Sequence, residues 1–328
     1  MRRRRSEEGV ALLSALLIVS IMAAIAVAMS DVALRSLSRA TVSDERGRVS
    51  WQITGAEAAG LSAIDDLLLT TEAALSIDNP VFAEPIVFSA SGGSISGDLR
   101  DASNCFNLNA LAAVGEVAED SSERPPAVLA YIDLLLSLQL SEFEVEALTD
   151  ALLDWLDADN TPRLSGAEDG YYLSLSPPYR TGGQPMVHIS ELRAVLGYEP
   201  EILEVLLPQV CVRPNSNLGP FNLNTLEEYH TPLLVMLLGN SITLNEAQDL
   251  LTRRPFGGWS TPDAFLELDA VGRITPELVR SDLTSITTNF LSFRGVASFG
   301  KVSADFETLY EIGDEGTARI VQRNRSPR

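Results

Sequence analysis

The chain has 328 residues, 45% of them hydrophobic, with 24 Lys and Arg against 45 Asp and Glu for a formal net charge of −21. That length leaves room for about two domains with a substantial core. So acidic a surface repels a phosphate backbone and argues against general nucleic-acid binding.

Arg2 to Arg5 open the chain, followed by Glu7, Glu8 and Gly9. From Val10 to Ser30 there is no charged residue. This predicts a helix long enough to cross a hydrocarbon core of about 30 Å. The arginines should hold their end in the cytoplasm and place the body on the far side. A secretory signal peptide is the rival reading, with Ala26-Val27-Ala28 as its cleavage site and a mature start near Ala28 or Met29. Against it stands the continuation after Ser30, which keeps helical spacing to about residue 77 without a proline. Gly55 and Gly60 weaken that helix locally without stopping it.

Near Val87 the texture changes. PIVFSASGGSISGDLRDAS has β-branched alternation around a Gly-Gly turn, a strand–turn–strand signal. Helical patterning then dominates from about 106 to 283, and strand-like segments return in SITTNFLSFRGVASFGKVSADFETLY and TARIVQRN. The pattern predicts an α+β fold, one antiparallel sheet interrupted by a large helical insertion. The insertion repeats itself: Phe106-Asn107-Leu108-Asn109-Ala110-Leu111 returns as Phe221-Asn222-Leu223-Asn224-Thr225-Leu226. Asn109 and Asn224 suit helix N-caps, and the repeat predicts two related SAM-like helical subdomains. Cys105 and Cys211 lie just ahead of, respectively, the first and second copies. Two cysteines so far apart do not make a zinc site. Outside the cytoplasm they suit a disulfide tying the two subdomains together; the alternative is two buried thiols.

Residues 154 to 172 read DWLDADNTPRLSGAEDGYY. Counted from Asp157, oxygen-bearing side chains fall at positions 1 (Asp157), 3 (Asp159), 5 (Thr161) and 12 (Glu168), the calcium-loop spacing. Position 6 is Pro162 where that loop needs glycine, so this is no EF-hand. Asp154 and Asp169 are further candidates. The spacing leaves two readings open, a calcium loop and a solvated acidic turn.

His188 and His230 lack the flanking patterns of a metalloprotease or a hydrolase triad. His188 reads as a helix-flanking residue, and His230 as a cap or a solvent-facing group. The chain has no GxGxxG, P-loop or GxSxG, and the expectation is that it is not an enzyme.

A short basic leader ending in Gly9, joined without a gap to an apolar helix, resembles the prepilin class of type IV pilins and type II secretion pseudopilins. The resemblance implies cleavage by a prepilin peptidase between Gly9 and Val10 and methylation of the new N-terminus. Most of that class carry Glu at the fifth mature position, here Ser14. The K-type minor pseudopilins lack it and carry a helical insertion, so the chain resembles them over nearly its whole length. WLDAD…GAEDGYY is among the closest matches. The resemblance further implies that calcium is bound structurally by Asp157, Asp159, Thr161, Glu168 and Asp169; with the body outside the cytoplasm, Cys105 is expected to pair with Cys211. It implies I- and J-type minor pseudopilins as partners, with the secretin or a secreted substrate as further contacts. It also implies a single-pass protein of the bacterial inner membrane with its body in the periplasm. The expected organisation is a leader over 1–9, a transmembrane helix over 10–30, and the pseudopilin helix with its first strands over 31–104. The two helical subdomains span 105–219 and 220–285, and the closing strands 286–328. A signal-anchored adhesin is the alternative. So is a DNA receptor of helix-hairpin-helix type, although the hairpin Leu238-Gly239-Asn240-Ser241-Ile242 has one glycine and no adjacent Lys or Arg.

Overall fold

The computed structural model describes residues 4–71, 74–90, 92–112, 124–313 and 316–327. Arg2 and Arg3 lie outside these residues. Helix α1 (Arg4–Thr71) runs 68 residues, roughly 100 Å at 1.5 Å per residue. Every side chain from Val10 to Thr41 is exposed, including Leu17 and Val27. No part of the described chain covers this apolar half. Ser14 needs no partner there, because its hydroxyl donates to the Val10 carbonyl one turn back at 2.9 Å.

The second half of α1 is amphipathic. Val49, Ile53, Ala56, Ile64 and Leu68 recur at helical spacing and are buried against a sheet. After a one-turn helix α2 (Pro80–Ala83), the strands β1 (Ile86–Ala90) and β2 (Gly93–Asp101) form a hairpin. The chain then leaves the sheet and returns for β7 (Phe290–Phe299), β8 (Val302–Ile312) and β9 (Ala318–Pro327). The sheet order is β1-β2-β7-β8-β9, antiparallel throughout, and Asp101 at the end of β2 faces Leu291. The insertion therefore leaves and re-enters between two hydrogen-bonded neighbours.

Gly60 lets the helix lie directly on β8. A Cβ there would sit 2.8 Å from the Tyr310 hydroxyl, which donates to the Glu57 carbonyl at 3.1 Å. Glu57 itself is a buried acid on this otherwise apolar face. Its carboxylate accepts from Thr308 at 3.1 Å, from Arg323 at 2.9 Å and from Arg325 at 3.0 Å. Burial pushes its pKa up, but the bonds from Arg325, Arg323 and Thr308 together bring it below the usual carboxylate range. The acid thus clips β8 and the outer strand β9 to α1. Glu57→Gln removes the charge while the two arginines stay half-exposed. We expect a loss of about 2 kcal/mol, below the full value of a buried pair because the arginines reach water. Urea unfolding monitored on the sheet measures it, and an unchanged midpoint would show the clip to be idle.

The insertion carries β3 (Phe106–Asn107), α3 (Pro126–Ser137), α4 (Glu142–Leu156), α5 (Asp169–Tyr172), α6 (Pro200–Leu206) and β4 (Val210–Cys211). Next along the chain come β5 (Phe221–Asn222), α7 (Thr231–Leu237), α8 (Leu244–Thr252), α9 (Pro262–Leu266) and β6 (Thr284–Ser285). One continuous apolar core runs through both halves, separate from the core under the sheet. Across the halves, the Ser137 hydroxyl donates to the Pro232 carbonyl at 3.2 Å, and Arg280 of the second half pairs with Asp133 of the first at 2.5 Å. Two sequence repeats thus build one body.

The two FNLN copies occupy equivalent places. Phe106-Asn107 pairs in parallel with Val210-Cys211, and Phe221-Asn222 with Thr284-Ser285. The expectation that Asn109 and Asn224 cap helices is corrected. Each is buried and clamps a remote backbone: Asn109 takes the N–H of Met186 at 2.8 Å and gives to its carbonyl at 2.9 Å, and Asn224 does the same to Trp259 at 2.7 and 2.9 Å. A side-chain amide matches one peptide's donor and acceptor at once, which a cap does not need. Asn107, two residues earlier, takes the capping role over a short 3-10 turn, Leu108–Ala110.

At the root of the body, Asp101 accepts from Thr225 and Thr288 at 2.6 Å each and from the Asn222 amide at 3.1 Å. The Ser103 hydroxyl accepts from the N–H groups of Asn289 and Phe290. Both connections to the sheet are thereby fixed by buried polar contacts. Beside them Cys105 is joined to Cys211 with their Cα atoms 5.6 Å apart, 106 residues apart in sequence.

Candidate metal centre

Helix α4 is started by Ser141, whose hydroxyl accepts the Glu144 N–H while Glu144 reaches back to the Ser141 N–H. Asp154 lies in its last turn and Asp157 is the extended residue that ends it, three positions on. The loop after it returns Glu168 to the same point at the start of α5. Oxygens of Asp154, Asp157 and Glu168 lie within 4.8 Å of one another, and all three residues are buried. Asp154 is fully buried. The close return depends on Gly166, where a Cβ would stand 1.9 Å from Asp154 Oδ2.

The charge balance of this group is incomplete. Arg163 Nη1 lies 2.6 Å from both Asp154 Oδ1 and Asp157 Oδ2. The opposite side has no such partner: Asp157 Oδ1 and both oxygens of Glu168 are buried without a hydrogen bond. Glu168 precedes α5 but does not cap it with its side chain. Burial, joined by the charges of Asp154, Asp157 and Asp159, pushes its pKa up to about 7. Burial likewise raises Asp154, against the pull of Arg163. Orphaned carboxylate oxygens converging in a buried pocket are costly, and an all-oxygen donor set suits a hard cation. The residues present therefore fit a metal ion.

Of the oxygen donors counted in the sequence, Asp157 and Glu168 meet here, joined by Asp154. Asp159 is exposed and takes the Thr161 N–H at 2.7 Å, close enough to act on Glu168 through its charge. Thr161 is exposed. Asp169 faces the other way, pairing with Arg180 and accepting from Thr181. Counting from Asp157 starts one helical turn too late to put Asp154 first; the Asp154/Asp157 spacing at the end of a predicted helix was the available signal. Nothing in the spacing pointed to Arg163.

Neither histidine is near this group. His188 caps a short 3-10 helix, Ile189–Ala194, accepting the Ser190 N–H. Of the two readings of His230 the cap holds and the solvent-facing one does not: its side chain closes a capping box on the 3-10 turn that it ends. It is buried against Tyr229, its Nδ1 accepts the Glu227 N–H at 2.9 Å, and burial pushes its pKa down to about 3. An unfolded chain takes up this proton near pH 6.5 and the folded one only near 3, so stability falls as pH drops through that window. Relative to His230→Gln, the wild type should lose about 1.4 kcal/mol per pH unit between roughly pH 6 and 4. Parallel pH profiles of unfolding for the two proteins would show that His230 is not held neutral.

The hairpin at Gly239 and Asn240 is also used internally. Both residues have positive φ, and the N–H groups of Gly239, Asn240 and Ser241 donate to the carbonyls of Met236, Val235 and Leu238.

Two consecutive segments, residues 104–215 and 221–286, match the family described as type II secretion system (T2SS), protein K. The type II secretion system protein K of Aeromonas hydrophila is 31% identical over 324 residues, covering 97% of each chain. The protein of that name in Klebsiella pneumoniae is 32% identical over 286 residues, covering 87% of each. A chain in the crystal structure of the GspK-GspI-GspJ complex from the enterotoxigenic Escherichia coli type 2 secretion system superposes with a TM-score of 0.76 at 26% identity. The match covers 88% of this chain and 99% of that one.

Proposed function

The chain belongs to the type II secretion system protein K family, and from that premise we propose that it is the minor pseudopilin that assembles with I- and J-type minor pseudopilins at the tip of the pseudopilus. One observation carries the reading: a long helix with a bare apolar first half supports a sheet interrupted by one large helical body. The likeness to a chain of the GspK-GspI-GspJ complex supports the choice of partners.

In this reading a prepilin peptidase cuts between Gly9 and Val10, and Val10 becomes the methylated N-terminus. Residues 10–30 hold the protein in the bacterial inner membrane until the helix packs among neighbouring helices in the fibre. The body stands in the periplasm. At Ser14 a charged subunit would offer a carboxylate to the terminal amine of the next one. A hydroxyl already turned back on Val10 offers none, so the subunit holds nothing above it. The helical body is broader than the helix and blocks further addition, which turns it toward the secretin or cargo. Its role is structural, not catalytic. The divisions at 31–104, 105–219, 220–285 and 286–328 belong to the same proposal, with the two helical units sharing one core.

The acidic group is read as a calcium site held by Asp154, Asp157 and Glu168, with Asp159 adding negative charge at its edge. The ion would supply the positive charge that the orphaned oxygens lack and tie the loop after α4 to α5.

Co-expression of the full chain with the I- and J-type subunits tests the function. The expected result is a complex that survives detergent purification, and a K-type chain whose N-terminal sequence begins at methylated Val10. A soluble, solitary product beginning at Ala28 or Met29 would establish ordinary secretion instead.

A further inference from the structure

We propose that Arg163 is the resident counter-ion of the acidic group, covering oxygens that a divalent cation must take, so that the cation binds by releasing the guanidinium. The inference rests on the cation reading above and describes how that site is controlled.

Calcium takes six to eight oxygen ligands. The unpartnered carboxylate oxygens here, Asp157 Oδ1 and the two of Glu168, fall well short of that shell. The remaining oxygens of the three clustered side chains are the ones Arg163 occupies. Its Nη1 is 2.6 Å from Asp154 Oδ1 and 2.6 Å from Asp157 Oδ2, and its backbone N–H donates to Asp154 Oδ2 at 3.1 Å. A cation that reaches all three carboxylates must take Asp154 Oδ1 and Asp157 Oδ2, the two oxygens that Arg163 Nη1 already holds. One must leave.

The guanidinium is the group able to leave. A single nitrogen, Nη1, makes both ion pairs, and among the described residues Nε and Nη2 bond to nothing. The side chain is 30% exposed while those of Asp154 and Asp157 are buried. Its neighbour Leu164 is wholly exposed, so the loop lies at the surface and the arginine has a route to water. With Arg163 in place and all three carboxylates ionised, two negative charges are uncompensated. A divalent cation in its stead leaves one. Relative to the metal-free state the exchange lowers the buried charge, and it leaves the loop pinned throughout, by the guanidinium before binding and by the ion after.

The test is calcium titration of the full-length protein in detergent, by calorimetry and by melting temperature, on wild type and Arg163→Gln. Removing the competitor should tighten calcium binding on the order of ten-fold. It should also lower the melting temperature without calcium and enlarge the rise that calcium produces. Should the Gln variant fail to fold, Arg163→Lys carries the test: it keeps a charge but spans the two carboxylates less well, and should shift affinity the same way by less. Calcium binding that is unchanged or weaker in the variant, with wild type still binding, overturns the exchange while leaving the site intact. No binding by either protein at millimolar calcium overturns the site itself, and the exchange with it.

Discussion

Changing both Cys105 and Cys211 to alanine is expected to lower the melting temperature of the helical body by about 10 °C. The bridge closes a loop between residues 106 apart, and that loop holds the first FNLN copy, α3, α4, the acidic loop and α6. In the chain-entropy account, opening a loop of this size returns about 4–5 kcal/mol of freedom to the unfolded chain. Each kcal/mol is worth roughly 2–4 °C in a body of this length. The effect should be local. Cys211 sits in β4, paired with Asn107, and Arg213 two residues on donates to the carbonyls of Ala102 and Ser103 and stacks on Phe290. Without the bridge, hydrogen exchange should quicken around β3, β4 and the Arg213 contacts before it does in β7 to β9. A double variant melting within about 2 °C of wild type would mean that the buried polar contacts at the root already supply the constraint.

Calcium at a hundred times its dissociation constant should stabilise the protein by about 2.7 kcal/mol through the acidic group, and a chelator should reverse the gain. Glu168→Gln separates ion binding from charge repulsion. It should abolish most of the calcium response, since it removes the carboxylate with two unpartnered oxygens. Without calcium the same variant should be at least as stable as wild type, because a buried carboxylate facing Asp154 and Asp157 is replaced by a neutral amide. Thermal melts with and without calcium decide it. A variant that is destabilised without calcium and still responds to the ion places the cation elsewhere.

Much of this architecture could be read from the residues. The uncharged run from Val10 to Ser30 became the bare apolar half of α1, and the alternation around Gly92-Gly93 and after residue 286 became β1, β2 and β7 to β9. The FNLN repeat was legible as a repeat, but its mechanism was not. An asparagine before a helical run reads as a cap from local sequence, whereas the clamps on Met186 and Trp259 depend on segments that only the fold brings near. The same limit applies to the acidic loop. Spacing found Asp157 and Glu168 and left Asp154 and Asp169 as further candidates, but the choice of Asp154, the pairing of Asp169 with Arg180, and the intrusion of Arg163 are set by which way α4 and α5 face. Glu57 shows the limit most plainly. Within α1 it is one more acid on a long helix, and only the arrival of Arg323 and Arg325 from the far end of the chain makes its burial tolerable.

The pairing of β2 with β7 sets the order in which the two cores can close. Asp101 cannot meet Leu291 until the whole segment between them has been brought back, and closing so wide a gap in an unfolded chain is entropically expensive. A helical body that folds first brings its own two ends together and removes most of that cost. The strands β7 to β9 then complete a template that β1, β2 and α1 have kept waiting. Until they do, the inner face of α1 and one edge of β2 stand open, and a nascent subunit in that interval is the form that chaperones and proteases would meet.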